Sequence, residues 1–250
     1  LVWGAGGGGC LVETNPRLVM NLTASNLVVG HSPEHALLGP IDHAWKAGGM
    51  HLVLGGNGSG KSTLLRTLVQ ALPALSGEVS MSEGNQELRP TEGAMWTKSI
   101  AFVPSRPPQQ VGLTVKGVWA LSGNPSEVEE WHPDLMGLAA SRLSELSDGQ
   151  AQQVMVARAM LQSNRWLVLD EPTAFLDVQA QRRLWSMLDV HVDRGGGVLM
   201  ATHDLWGVER WAQAESKATL ALSSLSMIRQ GTLHALPLQS SKEDLSELLA

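Results

Sequence analysis

The residues best suited to chemistry in this chain are Gly55-Gly56-Asn57-Gly58-Ser59-Gly60-Lys61-Ser62-Thr63, directly after the apolar run Leu52-Val53-Leu54. Their spacing is G-x-x-x-x-G-K-[ST] between a strand and a helix, the pattern of a phosphate cradle. Glycines lack Cβ atoms, so the backbone can turn sharply and aim successive N–H groups into one concave anion site. A helix expected from Lys61 to Ala71 adds the positive end of its dipole to the same spot. Lys61 is placed to reach the β- and γ-phosphates of a nucleotide, and the Ser62 hydroxyl to ligate Mg²⁺.

A second group follows a buried strand expected at Trp166-Leu167-Val168-Leu169, which ends in Asp170-Glu171-Pro172. Acidic residues at the C-terminal end of a parallel strand face the crevice where ligands sit. Asp170 is positioned to hold Mg²⁺ there, and Glu171 to orient or deprotonate a water attacking a phosphate. Leu146-Ser147-Asp148-Gly149-Gln150 opens the next upstream helix, expected from Gln150 to Gln162. A Ser and a Gly at such a start make a helix cap, or a second anion site.

These residues need a framework to hold them. Alternating apolar residues suggest strands between Arg17 and His31 and again through Leu37-Leu38 and Ile41, His43, Trp45, forming a β-rich lobe before the phosphate loop. Further strands are expected after Leu75-Ser76-Gly77, at Ile100–Val103 and at Val198–Ala201, with a helix from Gln179 to Val190 and a hairpin turning at Gln230-Gly231. From Thr114 to Leu143, Gly123-Asn124-Pro125 and His132-Pro133 break the chain into short helices. Strands alternating with helices around a phosphate loop predict an α/β fold with a mainly parallel sheet, an N-terminal antiparallel β lobe and a small helical insert. We expect a flexible segment at 1–14 and one domain over 15–250. Its nucleotide-binding core spans 15–112 and 145–250, and its helical subdomain spans 113–144.

Composition narrows the function. The chain has 250 residues, 43% of them hydrophobic, with 17% charged and a net charge of −6. No run of Lys and Arg offers an electrostatic footprint, so nucleic acid is not an expected partner. The one cysteine, Cys10, allows no internal disulfide and suits a reducing compartment. The sequence holds no apolar run of about 18 residues that would span a bilayer, and its start lacks the charged and apolar regions of a secretion signal.

In order along the chain, these motifs resemble those of the ATP-binding cassette ATPases. Leu146-Ser147-Asp148-Gly149-Gln150 resembles the signature motif, Leu167–Asp170 with Glu171 the Walker B strand, Ala174-Phe175-Leu176-Asp177 the D-loop, and Ala201-Thr202-His203-Asp204 the switch-histidine motif. The resemblance covers roughly residues 17–235. It implies ATP and Mg²⁺ as cofactors, hydrolysis to ADP and phosphate, and Glu171, His203 and Lys61 as catalytic residues. It also implies a head-to-tail pair, as a homodimer or with a second such ATPase. ATP would lie between the phosphate loop of one copy and Ser147, Gly149 and Gln150 of the other, with Asp177 linking the two sites. Within the family, Ser147–Gln150 and Asp170–Asp177 look most like the ATPases of iron-siderophore, haem and cobalamin importers. That implies integral membrane permease subunits, indirectly a substrate-binding protein, and a peripheral position on the cytoplasmic face of the membrane. The alternative is a soluble cassette ATPase in iron–sulfur assembly or another non-transport role. A small-molecule kinase would need no Ser-Gly signature.

The sequence departs from the family pattern twice. The Gln usual after the strand at 100–103 is replaced by Ser105, with Gln109 and Gln110 nearby. The aromatic usual against adenine has no Tyr to supply it, and the matching position is His31, whose ring stacks with less area.

Overall fold

The computed structural model describes residues 20–108, 112–163, 165–174, 176–203 and 222–237. The segment 1–14, the strand start at Arg17, Gln109, Gln110, Phe175 and Asp204 lie outside them.

Two sheets organise the described residues. The first is antiparallel, in the order β2-β1-β4-β5, with β1 at Asn21–Ser32, β2 at His35–Trp45, β4 at Ser76–Glu83 and β5 at Gln86–Leu88. The second has the order β10-β9-β3-β8-β7-β6. Its strands are β3 at Met50–Leu54, β6 at Ile100–Val103, β7 at Trp166–Asp170, β8 at Gly197–Ala201, β9 at Leu222–Arg229 and β10 at Thr232–Leu236. All its neighbours are parallel except the edge hairpin β9–β10.

The central strands are buried on both faces, and their side chains alternate between two cores. Leu52, Leu54, Leu167 and Leu169 join one core with α3 (Val115–Ala120), α6 (Asp148–Gln162) and α7 (Val178–Asp193). Val53, Trp166 and Val168 join the other, under the antiparallel sheet and α1 (Lys61–Leu68). Trp166 ties the layers together, because its Nε1–H donates to Met20 O at 2.7 Å.

Several expected boundaries move. The strands expected separately before His31 form one strand, β1, whose register shifts between Ser25 and Val28, around Asn26 at φ +47°. Leu37 through Trp45 likewise lies in the single strand β2. Helix α1 stops at Leu68 rather than Ala71, with Gln70 at φ +63° just beyond it. Helix α6 begins at Asp148 rather than Gln150, because Ser147 caps it. Four elements were not expected: β5, α2 (Ala94–Ser99), and 3₁₀ turns at Pro90–Glu92 and Leu143–Glu145. Each is too short for a periodic signal. The broken helices are α3, α4 (Glu127–Trp131) and α5 (Pro133–Met136).

Candidate functional site

Strand β8 lies between β3 and β7, so three segments far apart in sequence end side by side. Past β3 comes Gly55, at the end of β7 comes Asp170, and past β8 come Thr202 and His203. The crevice beyond the carboxyl ends of parallel strands is where such sheets bind ligands.

In the phosphate loop, Gly58 and Gly60 take φ +75° and +100°, backbone that a residue with a Cβ adopts only with strain. Gly55 and Gly60 are buried, Ser59 is half-buried, and Gly56, Asn57 and Gly58 are exposed. Ser59 N donates to Gly56 O at 3.2 Å, closing the turn. Gly60 stands at the N-cap of α1 and no side-chain hydrogen bond caps the helix end, where the first N–H groups of a helix have no partner within it. Thr63 is buried in the first turn of α1.

Lys61, itself buried, donates from Nζ to Gly55 O at 2.6 Å and Gly56 O at 3.1 Å, and lies 3.6 Å from Glu171 Oε1. Ser62 Oγ donates to Asp170 Oδ1 at 3.0 Å. Asp170 is 1% exposed, and its Oδ2 is buried without a hydrogen-bond partner. Burial pushes its carboxyl above the ordinary range, against the opposing pull of the Ser62 bond. Glu171 sits at φ +48°, with its N–H donating to Ala201 O at 2.9 Å. That locked turn sends its side chain to His203: Oε2 accepts from His203 Nδ1–H at 2.8 Å and from the His203 backbone N–H at 3.2 Å. His203 remains 57% exposed.

The structure therefore brings together Lys61, Ser62, Asp170, Glu171 and His203. Mg²⁺ fits this donor set. Ser62 Oγ and the Asp170 carboxylate are hard oxygen donors, and the orphaned buried Oδ2 is an acceptor awaiting a cation. Among the described residues no group of three or more His, Cys, Asp and Glu could hold a metal; Mg²⁺ commonly takes few protein ligands and keeps water and phosphate oxygens for the rest.

The hydrogen bonds of the other candidates are local. Ser147 is exposed and forms a reciprocal capping box: Gln150 N–H donates to Ser147 Oγ at 3.2 Å, and Ser147 N–H to Gln150 Oε1 at 3.1 Å. Gly149, between them, is half-buried. Asp177 caps α7, accepting from Ala180 N–H at 2.7 Å. His31 is exposed at the end of β1. The same hairpin brings Leu37 Cβ to 3.6 Å from where a Cβ on Gly60 would stand, so it leans over the phosphate loop. Ser105, half-buried, follows β6 in the loop beside β7. One residue escaped the sequence reading, the buried Gln152 of α6, whose Nε2–H donates to Pro104 O at 3.2 Å. Two polar residues, Gln152 and Gln153, among the buried positions of α6 were the available signal.

Fold and site together define a P-loop nucleotide hydrolase whose acidic strand and histidine close on one phosphate cradle. Residues 38–174 match the family model described as ABC transporter. The iron(3+)-hydroxamate import ATP-binding protein of Bacillus subtilis is 28% identical over 228 residues, covering 85% of this chain and 82% of that protein. A zinc import ATP-binding protein of Paracoccus denitrificans is 33% identical over 196 residues, covering 76% of this chain and 72% of its own length. A solved ATP-binding subunit of an ABC transporter superposes with a TM-score of 0.73 at 23% identity, over 91% of this chain and 98% of that one. The chain belongs to the ABC transporter family. It is an ATPase that works on ATP with Mg²⁺.

Proposed function

We propose that this chain energises an importer, as one of two ATPase subunits attached to integral membrane permease subunits on the cytoplasmic face, with a substrate-binding protein delivering cargo from the other side. Support for import comes from relatives named as import ATP-binding proteins. Among the described residues no helix is long and apolar enough to cross a membrane. For cargo we favour an iron-siderophore, haem or cobalamin-like molecule, on the wording of Ser147–Gln150 and Asp170–Asp177. The iron-hydroxamate relative agrees with that choice and the zinc relative does not.

The observation that carries the catalytic reading is the Lys61–Glu171–His203 cluster beside the Ser62–Asp170 pair. Loop N–H groups and Lys61 hold the β- and γ-phosphates and answer the charge that develops during transfer. When bound, Mg²⁺ on Ser62 and Asp170 neutralises phosphate charge. Glu171 accepts the proton of the attacking water while the water oxygen bonds the γ-phosphorus and the bond to the β-phosphate oxygen breaks. His203 orients the Glu171 carboxylate and, from its exposed position, contacts the γ-phosphate. Ser147, Gly149 and Gln150 of the second copy close the same nucleotide, and Asp177 runs between the two sites. His31 packs on adenine.

Mg²⁺-dependent phosphate release by wild type and Glu171→Gln tests this. A loss of about a hundredfold or more in kcat with ATP binding retained supports it. Equal turnover by the two proteins would overturn the assignment of Glu171.

A further inference from the structure

Gln152 lies on α6, five residues beyond Ser147 and so about 7.5 Å along the helix axis. Its side chain is buried at 1% exposure. Nε2–H donates to Pro104 O at 3.2 Å, and Oε1 is buried with no hydrogen-bond partner. The acceptor sets the amide's orientation, because turning it over would point Oε1 at a carbonyl oxygen. An apolar residue would fill this place without burying an unpaired oxygen, so the site retains a polar group at a cost in stability. What the amide gains is one specific bond.

That bond joins two parts of the site. β6 runs parallel to β7 with Val103 opposite Leu169. The pairing ends there, and Pro104 is the residue that follows Val103 as Asp170 follows Leu169. Gln152 thus grips the backbone just past the last pair of β6 with the strand that ends in Asp170, and the helix that carries it begins at the Ser147–Gln150 cap.

We infer that Gln152 is a positioning residue that ties the Ser105 loop, beside one copy's carboxylates, to the Ser147 end of α6, which faces the nucleotide of the other copy. The inference rests on the proposed two-copy ATPase reading. Movement of the Ser105 loop when ATP occupies its own phosphate loop is passed through the Gln152 amide to the Ser147 cap. Ser105 has a shorter side chain than the Gln usual there, so the backbone carbonyl of Pro104 carries the link.

Two variants of the full chain test this. Gln152→Leu keeps the volume and loses the bond. Gln152→Glu loses the donor while ionised and regains it when protonated, at a pH raised by burial above the ordinary carboxyl range. Amide exchange is measured with and without Mg-ATP, beside nucleotide affinity and a thermal melt. In wild type, ATP should slow exchange both at Ser105-Arg106 and at Ser147–Gln150. In Gln152→Leu, affinity should stay within about twofold and the loop response should persist, while the Ser147–Gln150 response is lost at every pH. In Gln152→Glu that response should be lost where the carboxyl is ionised and return at the lower pH where it protonates, its titration followed in the same samples. A merely structural role would give no such pH-dependent recovery.

If Gln152→Leu passes the ATP response to Ser147–Gln150 as wild type does, or Gln152→Glu shows no recovery, the inference is overturned. If wild type binds no ATP, the ATPase reading fails first and takes this inference with it.

Discussion

Asp170 serves two opposed requirements. Its carboxyl is buried, with one oxygen bonded to Ser62 and the other unpaired, an arrangement that destabilises the chain without a cation. Asp170→Asn keeps an acceptor for Ser62 and removes the charge. We expect it to stabilise the nucleotide-free chain by about 1 kcal/mol in urea unfolding and to cut Mg²⁺-dependent hydrolysis by about a hundredfold or more. His51 shows another effect of burial, away from the chemistry. Its Nε2–H donates to Lys46 O and its Nδ1 accepts from Ser224 Oγ–H, both at 2.7 Å. Burial lowers its pKa from 6.5 to about 4. Between those values the unfolded chain binds the proton and the folded chain does not, so the His51 contribution to stability falls as pH drops from 6.5 toward 4, by about 3 kcal/mol. Asp189, whose carboxyl burial pushes up to about 6, works the opposite way below that pH. The difference in urea midpoint between wild type and His51→Gln, taken at pH 7 and again at pH 4.5, isolates the His51 part. Wild type should lose more stability than His51→Gln between the two pH values.

Among elements, the contact of β7 with β8 shows how tightly the site's platform is built. The Trp166 indole lies against Gly197, where an added Cβ would stand 2.7 Å from ring carbons. The ring cannot retreat, because its Nε1 is bonded to Met20 O. Gly197→Ala is therefore expected to cost about 2–3 kcal/mol, a fall of about 5–10 °C in the thermal midpoint for a chain of this size. Fully buried strands such as β3, β7 and β8 were legible because near-continuous apolar runs bounded by Gly or acidic residues have few alternative readings. The 3₁₀ turn at Pro90–Glu92 and α2 were not, because their conformation follows from where β5 and β6 hold their ends. The continuity of β1 through Asn26 was hidden for a similar reason: an irregular backbone step interrupts the alternation without ending the pairing.

For the whole molecule, half of the proposed site is exposed. Ser147, Gln150 and Asp177 stand at the surface with only local bonds, as a two-copy arrangement requires. Glu171→Gln should double in mass on adding ATP, and adding Ser147→Arg should abolish that doubling; light scattering reads both. His31 at the tip of the β1–β2 hairpin presents a smaller ring than the usual aromatic, so ATP should be preferred over GTP by less than about tenfold. Parallel binding titrations would show it, and a much larger preference would speak against the stacking role.

By itself the sequence determined the phosphate loop, the acidic strand end and the capped helix at Ser147, because spacing and residue type there set local backbone geometry and charge. It also determined the alternation that makes a parallel sheet. Only the tertiary structure decided that Lys61, Asp170, Glu171 and His203 meet, since the order β3-β8-β7 depends on strand pairing at long range, as of Met50 with Val198. The bond from Gln152 to Pro104, 48 positions apart, was likewise settled by packing: burial left that amide one carbonyl to reach.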